Sequence, residues 1–322
     1  MRRIFGLAAM SVGLMAGAAT AQTKWDLPTA YPVGNFHTVN MQKMADAVKA
    51  GSGGKLDIVI HPNGSLYKAN EIKRAVQTGQ VPAGEILMVN LGNENPIFEI
   101  DGVPFLATSY ADAKKLYAAQ KPYVEKALDA QGMKLLYAVP WPPQGIFSGK
   151  EVNSTKDLEN VPWRAYSPAT ARIGELLKAQ AVTVQAAELA QALSSGKVVA
   201  MMTSSATGVD SKVWEQIKFY YDTQAWVPKN MVIISKAAFD KLDKATQDLL
   251  LAEAKKAEEA GWAASEKVTT DTKATLAANG MKVQPPSAAL KDGLTAIGKT
   301  MTEEWEKKAG ADGAALLQTY RK

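Results

Sequence analysis

The sequence predicts an α/β protein of two domains, and three observations carry that prediction. Short apolar segments alternate with amphipathic ones along the whole chain, the pattern of strands and helices in turn. About 300 residues remain once a leader is set aside, more than one ordinary core holds. No repeat, low-complexity tract or flexible linker separates the halves, as expected if several strands cross between two domains.

The leader comes first. Arg2 and Arg3 precede an uncharged apolar run from Ile4 to Ala18, and Ala19-Thr20-Ala21 gives a small-x-small ending. This is the pattern of a secretory signal peptide cut after Ala21, too short and wrongly flanked for a membrane anchor. No Cys stands near the cut to take a lipid, and no later apolar run reaches the ~18 residues of a membrane helix. Residues 39–48 then carry Met41, Met44, Ala45 and Val48 at helical spacing, and 56–60 read as a strand after a Gly53-Gly54 turn. A short helix at 71–78 precedes a strand at 86–89. A helix at 111–130 should break or kink at Pro122 and stop at Gly132. A strand at 135–139 runs into Pro140-Trp141-Pro142-Pro143.

The pattern resumes with a strand at 163–166, helices at 170–178 and 188–194, and strands at 198–202, 219–221 and 231–235. Residues 240–273 read as almost unbroken helix. The domain boundaries this suggests are 22–143 with 231–280, and 144–230 with 281–322.

Composition narrows the function. The chain is 47% hydrophobic and 21% charged, as in ordinary globular proteins. With no Cys, thiol catalysis and thiolate metal sites are excluded. The net charge of +5 falls to about +3 when Arg2 and Arg3 leave with the leader, and no basic block is interleaved with aromatics, so nucleic acid is not a partner. The two histidines, His37 and His61, form no HExxH and have no evident acidic partner. Gly51 to Gly54 lacks the Lys-Ser/Thr of a phosphate loop, and there is no G-x-S-x-G elbow. Glu258-Glu259 and Glu303-Glu304 sit on helical stretches expected to face solvent. Neither a metal nor a cofactor is called for. An exported two-domain α/β chain without a catalytic set points to ligand binding in a cleft between domains.

The residues also resemble a family, the DctP-type solute-binding proteins of TRAP (tripartite ATP-independent periplasmic) transporters. Gly53-Gly54-Lys55-Leu56 followed by Pro62-Asn63-Gly64-Ser65-Leu66, and Val103-Pro104-Phe105-Leu106, are similar to family segments. So are Thr155-Lys156-Asp157-Leu158 through Trp163-Arg164, Glu188 to Val198, and Phe239 to Ala254, in family order over the mature chain. Asn160 and Pro162 depart from the usual Gly and Lys. The resemblance implies the periplasmic binding-protein fold, an interdomain cleft, and a long C-terminal helix from about Asp240 spanning both domains. It implies a periplasmic monomer that closes about its hinge on a small organic acid and docks onto the membrane subunits of a transporter.

It also implies that Arg164 binds the ligand carboxylate, for which a planar, permanently charged guanidinium is suited. Arg172, eight residues on, is the rival and is expected to be solvated. Sialic acid binders carry a second arginine twenty positions earlier, where this chain has Gln144, and often Phe where it has Ala186. A cleft with one arginine balances one carboxylate, because a second would be buried unpaired. The expected ligand is therefore an apolar or aromatic monocarboxylate, a 2-oxo or 2-hydroxy acid. Trp141, Trp226, Tyr31, Phe36 and Tyr166 would wall its body, and Gln144, Thr203 or Ser204 would bond the 2-substituent. Asn90 completes the candidate set. A C4-dicarboxylate or sugar-acid binder of the same family, a periplasmic hydrolase or lyase, and a purely sensory binding protein are the rival readings.

Overall fold

The computed structural model describes residues 22–322, so the signal-peptide reading lies outside the described residues. The chain opens with β1 (Thr23–Pro28), α1 (Phe36–Gly51) and β2 (Leu56–His61), the two strands pairing in parallel. Asn35 starts α1 earlier than the apolar spacing suggests, its side chain accepting from the His37 backbone N–H at 2.9 Å. Met41, Met44, Ala45 and Val48 form the buried stripe. Gly53 and Gly54, with φ of 61° and 81°, make the tight turn into β2 that other residues resist.

Next come α2 (Ile72–Gln77), β3 (Ala83–Leu87), α3 (Tyr110–Asp129) and β4 (Met133–Pro140). The strand expected at 86–89 is shifted. It ends at Leu87 and becomes a 3₁₀ turn over Met88–Leu91, all of the apolar part buried, so hydrophobicity does not mark where the ladder stops. The break expected at Pro122 is absent. α3 continues through it as one helix, and only the carbonyl one turn earlier forgoes its N–H donor.

The chain then crosses to a second unit: β5 (Gln144–Ser148), β6 (Pro162–Ala165), α4 (Pro168–Leu176), β7 (Gln180–Thr183), α5 (Leu189–Ser194), β8 (Ala200–Ser204), α6 (Ser205–Asp210) and β9 (Phe219–Tyr221). It returns through β10 (Lys229–Ser235), α7 (Lys236–Asp240), α8 (Lys244–Ala278), β11 (Lys282–Gln284) and α9 (Ala288–Arg321), the last interrupted at Gly310. In the first unit β10 lies antiparallel between β3 and β4. In the second the order is β11-β9-β5-β8-β6-β7.

The two crossing segments are stitched together. Trp141 N donates to Pro228 O at 2.8 Å, Gln144 N to Trp226 O at 2.9 Å, and Ala225 N to Gln144 O at 3.0 Å. These bonds hold the two crossing segments against each other. The long helix α8 packs on α1 and β4 of the first unit and on α6 of the second. α9 begins against Thr155 and later lies on α3 and on the 3₁₀ turn Pro96–Phe98, where Trp305 Nε1 donates to Pro96 O at 2.7 Å.

α8 approaches β4 closely at Gly261, where an added Cβ would lie 2.3 Å from Val139 Cγ2. Gly261→Ala gains up to about 1 kcal/mol of helix propensity. Overpacking costs about 1–3 kcal/mol and outweighs it. A calorimetric scan should show Tm lowered by roughly 2–6 °C; a rise would mean α8 sits more loosely on β4 than described.

Candidate functional site

Where the crossing strands meet the edges of both units, side chains from each converge on one cavity. Its empty space is about 570 Å³, part of it open to solvent. The β5–β8 register sets Gln144 opposite Ser204 and Gly145 opposite Thr203, while β6 lies on the other side of β8 and carries Arg164. The first unit supplies Tyr31 from the loop after β1, Glu85 from β3, Asn90 from the 3₁₀ turn and Trp141 from the crossing. Ala69 and Ala186 line it without filling it.

Arg164 is 2% exposed. Its Nε donates to Val184 O at 2.9 Å, its guanidinium carbon sits 5.2 Å from the centre of the Tyr166 ring, and Nη1 has no partner. No carboxylate pairs with it among the described residues. Burial pushes its pKa down to about 10, because taking a cation out of water disfavours the charged form. It remains charged at neutral pH, a buried cation without an anion.

Eight of the ten candidates from the sequence line this cavity: Arg164, Gln144, Trp141, Tyr166, Thr203, Ser204, Tyr31 and Asn90. The other two do not. Phe36 packs on Trp141, ring centres 5.4 Å apart, and Trp226 is buried with its indole Nε1 unpartnered and its backbone oxygen accepting from Gln144 N. The Gln144 amide is already engaged, giving Nε2–H to Pro142 O at 2.9 Å and accepting from the Tyr166 hydroxyl at 3.0 Å. It therefore orients Tyr166. Ser204 caps α6, accepting from Thr207 N at 3.1 Å. Asn90 Oδ1 is buried without a partner.

Arg172 is exposed, as expected, and is engaged in surface ion pairs. It forms a two-pronged pair with Glu304 at 2.7 and 3.1 Å and also bonds Glu175, away from the cavity. Both histidines have acidic neighbours, contrary to the sequence reading. His61 Nε2 lies 2.7 Å from Asp26, and His37 Nδ1 lies 3.5 Å from Glu85. Glu258 is half-buried rather than solvent-facing, accepting from the Tyr117 hydroxyl at 2.8 Å and from Ala138 N at 3.0 Å.

Glu85 is the residue that sequence reasoning missed. Its carboxyl accepts from Thr29 Oγ1 at 2.5 Å and from Asn230 Nδ2 at 3.0 Å, and the Asn230 oxygen in turn accepts from Trp141 Nε1 at 2.8 Å. The signal was a lone acid between Gly84 and Ile86 in an otherwise apolar strand. Burial pushes its pKa up to about 7. The folded chain thus binds a proton here between pH about 4.5 and 7 that the unfolded chain has lost, so this group's stability contribution is lost as pH rises through that window. Glu85→Gln removes the titration. Relative to wild type, the variant should gain about 2–3 kcal/mol between pH 5 and pH 8 in urea unfolding. A parallel pH dependence of the two proteins would contradict the assignment.

With this geometry in view, comparison with known proteins is informative. Residues 30–308 match the model of the bacterial extracellular solute-binding proteins, family 7, the DctP family. The chain belongs to this family. It is a TRAP solute receptor, and TRAP solute receptors are periplasmic. No described helix is long and apolar enough to cross a membrane. The two-unit fold with its long C-terminal helices is that of solved TRAP receptors.

Among these, the chain is 54% identical to DctP6 of Bordetella pertussis, an extracytoplasmic solute receptor binding pyroglutamic acid. The match covers 93% of this chain and 99% of that one at a TM-score of 0.92. It is 46% identical to DctP7 of the same organism, also binding pyroglutamic acid, over 93% and 100% of the chains at a TM-score of 0.92. It is 43% identical to a marine metagenome TRAP receptor specific for pyroglutamate, over 93% and 99% at a TM-score of 0.92.

Proposed function

We propose that this receptor binds pyroglutamate, or a closely similar small monocarboxylate, with the carboxylate seated on Arg164. The observation that carries this is the buried guanidinium, which lines the cavity with Nη1 unpartnered. A carboxylate is the group that relieves it, through a charge-assisted pair shielded from water. Three receptors of 43–54% identity that bind pyroglutamate support the choice of acid.

The charge count agrees. The cavity wall holds one cation, Arg164, and one acid, Glu85. A second ligand carboxylate would meet Glu85 rather than a cation, which argues against a C4-dicarboxylate. The faces of Tyr31 and Trp141, 4.8 Å apart between ring centres, offer an apolar wall to a small flat ring. This moves the ligand from the aromatic and 2-oxo acids suggested by sequence to a cyclic acid with a neutral polar edge. The receptor closes on the acid by rotation about the 141–144 and 225–228 segments and passes it to the membrane subunits of a TRAP transporter.

A thermal-shift panel of the mature protein tests the reading. It should contain L-pyroglutamate, aliphatic and aromatic 2-oxo and 2-hydroxy monoacids, succinate and a sugar acid. Ligand at about 100 to 1,000 times Kd stabilises by roughly 3–4 kcal/mol, or about 5–15 °C. Pyroglutamate should give the largest shift and succinate a small one. A larger shift with succinate, or turnover of any bound acid, would overturn the reading.

A further inference from the structure

The same cavity wall carries an acid, Glu85, whose one basic neighbour is the buried His37, with Nδ1 3.5 Å away. Glu85 is 2% exposed, and both of its hydrogen-bond donors, Thr29 and Asn230, are neutral. The groups facing it from neighbouring elements are uncharged as well. His37, from α1, is held neutral by its burial. Tyr31, from the loop after β1, and Tyr137, from β4, are buried phenols pushed above their usual range.

Charged groups on the other adjoining elements are engaged elsewhere. Asp26 of β1 pairs with His61, Lys73 of α2 with Glu94, and Lys229 of β10 with Asp101. Arg164 is the one cation on the cavity wall among the described residues, and a bound carboxylate would neutralise it. If Glu85 were then ionised, the closed cavity would hold one uncompensated negative charge, which a buried site strongly disfavours.

We propose that Glu85 is protonated in the liganded receptor, so that seating an organic monoanion on Arg164 draws one proton from solvent onto the Glu85 carboxylate. The step is carboxylate plus proton giving carboxylic acid, and no bond in the ligand changes. The inference rests on the reading that a monocarboxylate occupies this cavity, and it defines the rest of the ligand. A protonated carboxyl presents O–H and C=O side by side. A lactam, an amide locked cis by its ring, presents C=O and N–H side by side in the complementary order. An open-chain secondary amide in its trans form cannot offer both at once, so the polar edge selected is that of a lactam or a primary amide.

Burial sets the empty receptor's Glu85 near pH 7, so proton uptake is nearly complete on the alkaline side and vanishes on the acid side. Calorimetric titration of the whole mature protein with L-pyroglutamate, in HEPES and in Tris at pH 8, reads the uptake from the difference in buffer ionisation heat. Close to one proton per ligand is expected, with affinity falling up to tenfold per pH unit above about 7.5. Glu85→Gln carries a donor and an acceptor without the titration, and should remove both the uptake and the pH dependence.

Zero uptake or proton release in wild type overturns the proposal, and that result stands whether or not the variant folds. Tighter binding of L-proline, whose ammonium would pair with an ionised Glu85, overturns it too. Binding of pyroglutamate without uptake removes only the Glu85 assignment. No binding of any monocarboxylate even at pH 6 removes the reading of the cavity itself, and this proposal with it.

Discussion

Replacing Arg164 by Met should weaken pyroglutamate binding by about 30- to 5,000-fold, the 2–5 kcal/mol cost of stripping one partner from a buried charge pair. The empty protein should not suffer in parallel. Arg164 is a buried cation with its pKa pushed down to about 10, so its charge opposes folding by about 3 kcal/mol when no ligand is present. A side chain of similar reach without charge keeps the packing on Tyr166 and drops that cost. Unliganded Tm should therefore stay level or rise while the ligand-induced shift disappears. Arg164→Lys should fall between, since a point charge replaces a planar fork. Isothermal titration with thermal scans of the same samples separates the effects. Affinity retained within about threefold in Arg164→Met would mean that the carboxylate lies elsewhere, since tenfold is only 1.4 kcal/mol.

The largest loss of stability is expected where the returning crossing segment enters β10. Lys229 opens β10 directly after the returning crossing segment, and Asp101 lies in a 3₁₀ turn of the first unit. Both side chains are fully buried, with Nζ and Oδ2 3.0 Å apart, and the same Oδ2 accepts from Lys229 N at 2.9 Å. The ammonium also lies 5.6 Å from the centre of the Tyr117 ring. Lys229→Ala leaves Asp101 buried without its counter-charge. Breaking such a pair costs about 3–5 kcal/mol, which lowers Tm by roughly 6–20 °C. Lys229→Met with Asp101→Asn removes both charges together and should recover most of the loss. Urea unfolding of the single and double variants forms the test. Equal destabilisation of the two would show that the side chains act through packing and that charge pairing contributes little.

Much of the site was legible because it is built from short-range patterns. Trp141 and Gln144 flank a proline-rich break after a strand, and Arg164 and Tyr166 stand on one strand and at its end, as do Thr203 and Ser204. Such positions at strand ends, facing a topological crossing, are where ligand sites form. Trp226 has the same local signature, but it is fully buried and does not line the cavity. No one-dimensional pattern separates the two faces of an irregular crossing segment.

Glu85 and His37 were illegible for another reason. His37 reaches Glu85 from α1 across to β3, and His61 meets Asp26 through the parallel pairing of β1 with β2, so neither histidine's acidic neighbour could be found from spacing. The strands β1, β5, β7 and β11 and the helices α6, α7 and α9 were also missed. β1 follows directly on the presumed cleavage site. β5 is preceded by prolines that read as loop, although Gln144 to Ser148 is buried throughout. β7 is a four-residue edge strand, largely exposed, with too little apolar content to signal itself. α9 is amphipathic but interrupted at Gly310, where φ is 58°.

The central claim is that one buried arginine holds the carboxylate of a small cyclic acid. A crystal structure of the mature protein with L-pyroglutamate tests it most directly. The expected result is a carboxylate oxygen about 2.7–2.9 Å from Arg164 Nη1, with the ring between that arginine and Glu85. A ligand bound away from Arg164, with Nη1 still unpartnered or held by a protein group, would contradict the account.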